Sequence, residues 1–330
     1  MQSQSAKSSS KKSSISTDLH PVKIAIVGAG NVGASTAYAL LLSGLAAEIV
    51  LIDLNRDKAE GEVMDLNHAA PFSHQTKITL GNFEDCSGAA IVIITAGANQ
   101  KPGQTRLELL QINAKIFEDI VPKITQNAPS TILLVASNPV DVLTFQSWKL
   151  SGFPQSRVIG SGTVLDTARL RYTLGQQLNV DPSNIHADVV GEHGDSELPV
   201  WSRSNISGIP LAEFSQKAKG QDVEKIMQES FHETKNAAYE IIKLKGMTDY
   251  GISAALVRIV ETILRDENTL MTVSTAGTFA GVSDIALSMP KKVNRTGAHH
   301  VIDIKLAEEE GRELEKSAQT IKSSIESLKS

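Results

Sequence analysis

Apolar residues first gather along this chain in short unbroken runs. Residues 22–27 (VKIAIV), 48–53 (EIVLID), 89–96 (AAIVIITA) and 131–136 (TILLVA) are rich in β-branched side chains and nearly free of charge. Runs of that length and composition predict strands buried on both faces. Between them the apolar spacing changes to three and four. One such pattern opens near Val32, carries Ala34, Ala37, Leu40 and Leu41, and closes at Ser43 and Gly44, glycine being a good helix stop. Another covers residues 107–126 through Leu110, Ile112, Ile116, Ile120 and Ile124. Buried strands alternating with amphipathic helices predict βαβ crossovers and a parallel sheet covered on both faces.

Near Gly160, Ser161 and Gly162 that alternation stops. The later chain reads as polar strands, a long helix over 223–243, and two short β-like segments at 270–280 and 301–306. A last helix from Glu308 aligns Leu314, Ala318, Ile321, Ile325 and Leu328 on one stripe, which predicts packing against its own domain. Glu308, Glu309 and Glu310 stand in its first turn, where negative charge suits the helix dipole. The expected fold class is therefore α/β: a Rossmann-type doubly wound parallel sheet over 18–162, then a mixed α+β domain over 163–330. Residues 1–17, mostly Ser and Lys, lack the apolar stretch of a secretory signal and predict a disordered tail. No internal repeat is visible.

Composition narrows the function classes. With 330 residues, 41% of them apolar and 21% charged, the chain has room for two ordinary globular domains. Its 32 basic and 37 acidic residues leave a net charge of −5, without the basic signature of a nucleic-acid binder. No run approaches the roughly 20 apolar residues needed to span a bilayer. A single cysteine excludes an internal disulfide and a CxxC zinc site, and fits a reducing cytoplasm. His20, His68, His74 and His232 show no ligand spacing, and Cys86 has no recognisable base partner, so no metal site is expected.

Residues 28–33 (GAGNVG) form a GxGxxG, a weak signal alone. Here it follows a strand, opens a helix, and precedes a strand that ends in Asp53, twenty residues after Gly33. That context is the dinucleotide-binding fingerprint. Gly28 would make the tight turn, Gly30 would let the backbone approach a pyrophosphate, and Gly33 would permit close helix–strand packing. Asp53 would accept the adenosine ribose hydroxyls, and a 2′-phosphate there would meet a carboxylate, which favours NAD over NADP.

Three further segments carry polar groups that the fold alone does not explain. Residues 96–106 (AGANQKPGQTR) leave the carboxyl end of a strand, where open α/β sheets bind ligands, and contain Gly and Pro suited to a lid. Asp166 and Arg169 stand at i,i+3 on one helix face. His193 lies between glycines in residues 191–195 (GEHGD). Together with IAIVGAGNVG (24–33), AGANQKPGQTRL (96–107), SNPVDV (137–142), GTVLDTARLR (162–171), GEHGDSE (191–197) and KGMTDYGI (245–252), in that order, they resemble the lactate/malate dehydrogenase family from Val22 to the last helix. The N-terminal tail, Gln104 and the stretch around His299 and His300 depart from the pattern. Adjacent strand residues point to opposite faces, so those two histidines make a poor chelate.

The resemblance implies reversible hydride transfer between NADH and pyruvate, giving (S)-lactate, as the last step of fermentative glycolysis. It implies His193 as acid/base, with Asp166 favouring the imidazolium, and Arg169 clamping the substrate carboxylate as a bidentate pair. Arg106, carried by the lid, would polarise the reacting carbonyl. Asn138 would lie near the nicotinamide and the reacting oxygen, and Thr248 would line the pocket opposite the lid. Ala96, Gly97, Asn31 and Val32 join Gly28, Gly30, Gly33, Asp53 and Asn138 as cofactor-binding residues. Gln100 separates this reading from malate dehydrogenase, which has an Arg at the matching position for a second carboxylate; a non-catalytic NAD-sensing module is a further alternative. The resemblance also implies a homotetramer. Arg171 lies about 200° around the helix from Arg169 and cannot share its target. Similarity to bacterial members activated by fructose 1,6-bisphosphate implies that Arg171 and His186 bind that effector between subunits.

Overall fold

The computed structural model describes residues 22–98, 105–219 and 222–328. The predicted tail, His20 and Gln100 lie outside the described residues. The first half contains β1 (Lys23–Val27), α1 (Asn31–Ser43), β2 (Glu48–Ile52), α2 (Arg56–Ala69), β3 (Lys77–Leu80) and β4 (Ile91–Ile94). It continues through α3 (Arg106–Asn127), β5 (Ile132–Val135), α4 (Val140–Ser151) and β6 (Val158–Gly160). These six strands pair in parallel in the order β6-β5-β4-β1-β2-β3, the doubly wound topology that the sequence pattern predicts.

Alternation along each central strand explains why the runs are continuously apolar. Ile24 and Ile26 of β1, Ile91 and Ile93 of β4, and Ile132 and Leu134 of β5 enter one core with Leu40 and Leu41 of α1. Ala25, Val27, Val92, Ile94, Leu133 and Val135 enter a second core with Phe117, Ile120 and Ile124 of α3 and Leu143 of α4. A side-chain period of two sends neighbours to opposite faces, and helices cover both. In α3 the buried stripe is Leu110, Asn113, Ala114, Phe117, Ile120, Val121 and Ile124, while Ile112 faces outward and Ile116 is half-buried. Leu110, Ile120 and Ile124 of the expected stripe are buried, while Ile112 and Ile116 turn aside and Asn113 takes a core-facing position.

The second half departs further from expectation. It opens with α5 (Val164–Leu178) and the short strands β7 (Ile185–His186), β8 (Val189–Val190), β9 (Leu198–Pro199), β10 (Asn205–Ile206) and β11 (Ile209–Pro210). Next come α6 (Leu211–Lys219), α7 (Val223–Lys245) and α8 (Tyr250–Leu264). A long hairpin follows, β12 (Thr269–Phe279) and β13 (Val282–Asn294), then β14 (Gly297–His299) and α9 (Glu308–Ser327). The hairpin joins antiparallel to β6 through Ser274 and Gly160, so a single nine-stranded sheet runs through both halves. Residues 301–306, expected as a strand, form none. Val301 and Ile302 are exposed, and the carbonyl of Lys305 accepts from the Arg203 guanidinium rather than from a neighbouring strand. His299 bonds Thr296 and His300 faces Asp303, so the two imidazoles share no target.

Two glycines are demanded by contact rather than by flexibility. Gly28 has φ +110°, and a Cβ there would lie 2.5 Å from the Ala96 nitrogen. A Cβ on Gly33 would lie 1.9 Å from the Gly28 carbonyl oxygen, so α1 can pack on the β1 turn only without one. The α9 stripe enters a core with Ile285 and Leu287 of β13 in its own half, as its spacing predicts, and with Leu110 of α3 and Val142 and Phe145 of α4 from the first half. Leu133→Ala, at a fully buried position of β5, is expected to lower unfolding free energy by about 2–5 kcal/mol. Leu54→Ala, at a position 94% exposed, is expected to change it by less than about 0.5 kcal/mol. Guanidinium unfolding of both variants checks the contrast, and equal losses would contradict this account of the core.

Candidate active site

The carboxyl ends of β1, β2 and β4 open onto a cleft of about 380 Å³ lined by Gly28, Gly30, Asp53, Ala96 and Gly97. Asn31 and Val32 begin α1 directly above it. The Asp53 carboxylate accepts the Ala29 N–H at 2.6 Å and the Asn55 N–H at 2.8 Å, which fixes it at the rim of the glycine turn. Nothing lies within 4 Å of a Cβ built on Gly30. An open backbone face at a helix N-terminus suits a pyrophosphate, and a carboxylate beside it suits ribose hydroxyls. These residues fit NAD.

On the far side of this cleft Asn113 joins two loops that carry cofactor-side residues. Its Oδ1 accepts the Ala98 N–H at 2.7 Å, and its Nδ2 donates to the Asn138 carbonyl at 2.8 Å. Ser137 adds a bond from its hydroxyl to the Ala96 carbonyl at 2.6 Å. Ala96, Gly97 and Asn138 are thereby held together. Asn113 was missed from the sequence, where an Asn on an apolar helix face was the available signal.

A buried ionic cluster is built by α5 and the loop after β8. Asp166, 2% exposed, accepts from His193 Nδ1 at 2.6 Å through one oxygen and from Arg169 at 3.1 Å through the other. The i,i+3 expectation is met, and Nδ1 is the ring nitrogen of His193 that meets Asp166. The Asp166 carboxylate raises the His193 imidazole to about 9 against the opposing effect of burial. Burial alone would raise the Asp166 carboxyl; the facing imidazolium and the Arg169 guanidinium outweigh it and hold it below the usual range.

The loop that carries His193 is pinned from several elements. Gly191 exchanges backbone bonds with Ser288 of β13 at 2.9 and 3.1 Å. The Glu192 N–H donates to Ser317 of α9 at 2.8 Å, and the His193 N–H donates to Asp141 of α4 at 2.7 Å. Glu197, 7% exposed, shares the cavity; burial first, then the Asp166 charge, pushes its carboxyl up to about 8. Asp166, His193 and Glu197 bring ligand-type atoms within 4.8 Å of one another. Both Asp166 oxygens are already engaged by His193 and Arg169, and Glu197 stands beside that pair.

Other expected residues lie apart from this cluster. Arg106 is the first residue of α3 and is exposed; it pairs with Asp195 and donates to the Tyr239 hydroxyl at 3.0 Å. It thus flanks the His193 loop without entering it. Thr248 is half-buried between α7 and α8, next to Asp249, which holds Lys245 at 2.6 Å and Ser35 at 2.9 Å. Arg171 turns away from Arg169, donating to the Ala187 carbonyl at 3.0 Å and to Asp188 at 2.7 Å. His186 is exposed on β7. Burial pushes the Cys86 thiol up to about 12, which makes it unreactive.

Comparison with known proteins covers nearly the whole chain. Residues 22–160 match the family model described as lactate/malate dehydrogenase, NAD binding domain, and residues 163–330 match the lactate/malate dehydrogenase alpha/beta C-terminal domain. A probable L-lactate dehydrogenase of Schizosaccharomyces pombe is 54% identical over 313 residues, covering 95% of each chain. An L-lactate dehydrogenase of Acetivibrio thermocellus is 50% identical over 93% of this chain and 97% of its own. Among solved structures, a lactate dehydrogenase from a Medee basin deep-sea metagenome superposes with a TM-score of 0.89 at 42% identity, covering 94% of this chain and 99% of that one. The minor L-lactate dehydrogenase of Enterococcus mundtii gives the same TM-score at 41% identity, over 93% and 98% of the two chains. Similarity this extensive, in sequence and in shape, has one reading: the chain belongs to the lactate/malate dehydrogenase family and takes NAD as its cofactor.

Proposed function

We infer that the chain works as an NAD-dependent L-lactate dehydrogenase, and we propose the following roles for its side chains. The observation that carries the reading is the buried Asp166, with His193 on one oxygen and Arg169 on the other, in a chain that also carries the Asp53 cleft. NADH, when bound, supplies the hydride that reduces the carbonyl carbon of pyruvate. His193 donates its Nε2 proton to the carbonyl oxygen and recovers a proton from lactate in the reverse direction. Asp166 holds Nδ1–H, fixing the ring so that Nε2 faces the substrate. Arg169 keeps further N–H donors beyond the one on Asp166, and these clamp the substrate carboxylate.

Arg106 exchanges Asp195 for the reacting oxygen when the lid closes, bringing positive charge to where negative charge develops. The family resemblance assigns Gln100 and Thr248 to substrate recognition and Asn138 to the neighbourhood of the nicotinamide and the reacting oxygen. Gln100 presents no charge to a second carboxylate, whose unpaired burial would be costly, so pyruvate is favoured over oxaloacetate. A single, unreactive cysteine fits a reducing cytoplasm. Among the described residues no helix is long and apolar enough to cross a membrane. Exposed Tyr38 and Leu42 of α1, Met64 of α2 and Tyr250 of α8 offer apolar surface for self-association, in keeping with a homotetramer.

The direct test follows NADH absorbance on addition of pyruvate or oxaloacetate. Pyruvate is expected to be the better substrate, and NADH to exceed NADPH by at least about tenfold in kcat/KM, given Asp53 at the ribose. Gln100→Arg should move the substrate ratio toward oxaloacetate by about tenfold or more. An unmoved ratio would remove Gln100 from the substrate pocket, and no turnover of either acid would end the enzymatic reading.

A second expectation concerns pH. Pyruvate reduction requires the imidazolium, and His193 is raised to about 9. Its kcat/KM should therefore stay level through neutrality and fall as pH rises through about 9, while lactate oxidation rises over the same interval. Asp166→Asn removes the charge that favours the imidazolium, so the falling limb should move toward acid and kcat should drop by about 10²-fold or more. Retention of the limb near 9 in that variant would show that another group sets it.

A third concerns regulation by a sugar bisphosphate. Arg171 and His186 are proposed to bind the phosphates of fructose 1,6-bisphosphate, and the phosphate must displace Asp188 from Arg171. Pyruvate saturation near pH 7 should show a lower KM with the effector present, and Arg171→Gln or His186→Ala should blunt that shift while basal kcat persists. Superimposable curves with and without millimolar effector would rule the regulation out.

A further inference from the structure

Asp141 stands in the first turn of α4, three residues after Asn138, and is 1% exposed. Its Oδ2 accepts the backbone N–H of His193 at 2.7 Å. Its Oδ1 accepts the hydroxyl of Ser274 at 2.6 Å and that of Ser288 at 3.3 Å. Ser274 belongs to β12, at the point where that strand pairs with Gly160 of β6. Ser288 belongs to β13 and exchanges both backbone bonds with Gly191, two residues before His193. One carboxylate therefore ties the main chain of His193 to α4 and to both strands of the hairpin.

Burying a carboxylate is costly unless its lone pairs are filled and its charge is answered. Here a backbone N–H and two hydroxyls fill them, and the charged side chains that face Asp141 are His193 and Glu192. Burial pushes the carboxyl up to about 6, opposed by the Ser274 hydroxyl and the His193 N–H; both oxygens accept from donors, the arrangement of a carboxylate. The side chains whose charge raises the His193 imidazole are Asp166, Glu197 and Asp141. A tie of purely mechanical use could be made by a neutral side chain. A charged one beneath the acid/base group can also act on its proton.

We propose that Asp141 is a positioning residue for proton transfer: it fixes the main chain at His193 so that Nδ1 meets Asp166 while Nε2 faces the substrate. The inference rests on His193 being the acid/base. Its negative charge adds to that of Asp166 in favouring the imidazolium. Asn at this position keeps the shape but carries no charge and one acceptor oxygen; with that oxygen on the His193 N–H, its amide N–H groups must donate to the serine hydroxyls, reversing those bonds.

The test compares the full-length wild-type protein with Asp141→Asn and with Ser274→Ala, which removes one donor and leaves the charge. Pyruvate reduction is followed across pH, NADH binding by fluorescence titration, and the His193 imidazole by NMR of isotope-labelled histidine. For Asp141→Asn the expected result is NADH affinity within about twofold of wild type, kcat lower by about tenfold or more, and both the kinetic limb and the NMR titration of His193 displaced to lower pH. For Ser274→Ala a smaller loss of kcat is expected, with the titration of His193 nearer to wild type than in Asp141→Asn. Should Asp141→Asn fail to fold, wild-type kcat in Ser274→Ala overturns the proposal. A folded Asp141→Asn protein with wild-type kcat and an unmoved His193 titration overturns it as well, since a structural tie alone would lower only the melting temperature. The NMR titration needs no turnover, so a protein inactive toward pyruvate, which would sink the functional reading, remains distinguishable from failure of the Asp141 inference.

Discussion

A carboxylate at Asp166 can stay ionised in a dry site because a cation answers each of its oxygens. His193 takes one at 2.6 Å and Arg169 the other at 3.1 Å. Removing either cation would leave buried charge uncompensated, which is far more costly than losing a surface pair. The rest of the site follows from this arrangement. Asp166 sets the tautomer and the orientation of the imidazole, lifts its basicity to about 9, and turns Arg169 toward the same cavity. Glu197, buried nearby and pushed up to about 8, shows how little further negative charge that cavity tolerates.

The nine-stranded sheet is what makes so local a constellation dependable. Parallel strands place the glycine turn after β1 and the Asp53 end of β2 side by side, and the absence of side chains at Gly28 and Gly33 lets α1 seat against that turn. The β12–β13 hairpin extends the sheet past β6 and delivers Ser274 and Ser288 beneath the His193 loop. α8 packs Leu256, Ile259 and Ile263 into the core formed by β1, β4 and β5. The half that holds the Asp53 cleft and the half that holds His193 therefore share one core.

Arg106 illustrates the boundary between rigid and adjustable parts. Its ion pair with Asp195 is exposed on both sides, a setting in which such pairs contribute little. Breaking that pair therefore costs little. Asp166, His193 and Arg169, by contrast, are held by buried bonds that would be expensive to rearrange.

Much of this was legible in the chain. Continuous apolar runs marked β1, β2, β4 and β5 because parallel strands covered on both faces have no polar side. Gly28, Gly30, Gly33 and Asp53 marked the cofactor cleft because their spacing is dictated by a strand, a tight turn and a helix that are neighbours in sequence. Asp166 and Arg169 could be paired because an α-helix puts i and i+3 on one face. β13 escaped notice because Pro290, Lys291 and Lys292 interrupt its apolar pattern. Residues 301–306 looked like a strand yet found no ladder to join. Asn113 and Asp141 are polar residues whose work is visible only once their partners stand beside them. Asp141 lies 52 residues from His193, and Glu192 lies 125 residues from Ser317. Short-range periodicity fixes which face of an element is apolar. Which distant group fills a buried oxygen, and hence how His193 is held, depends on how those elements pack, and only the tertiary structure decides it.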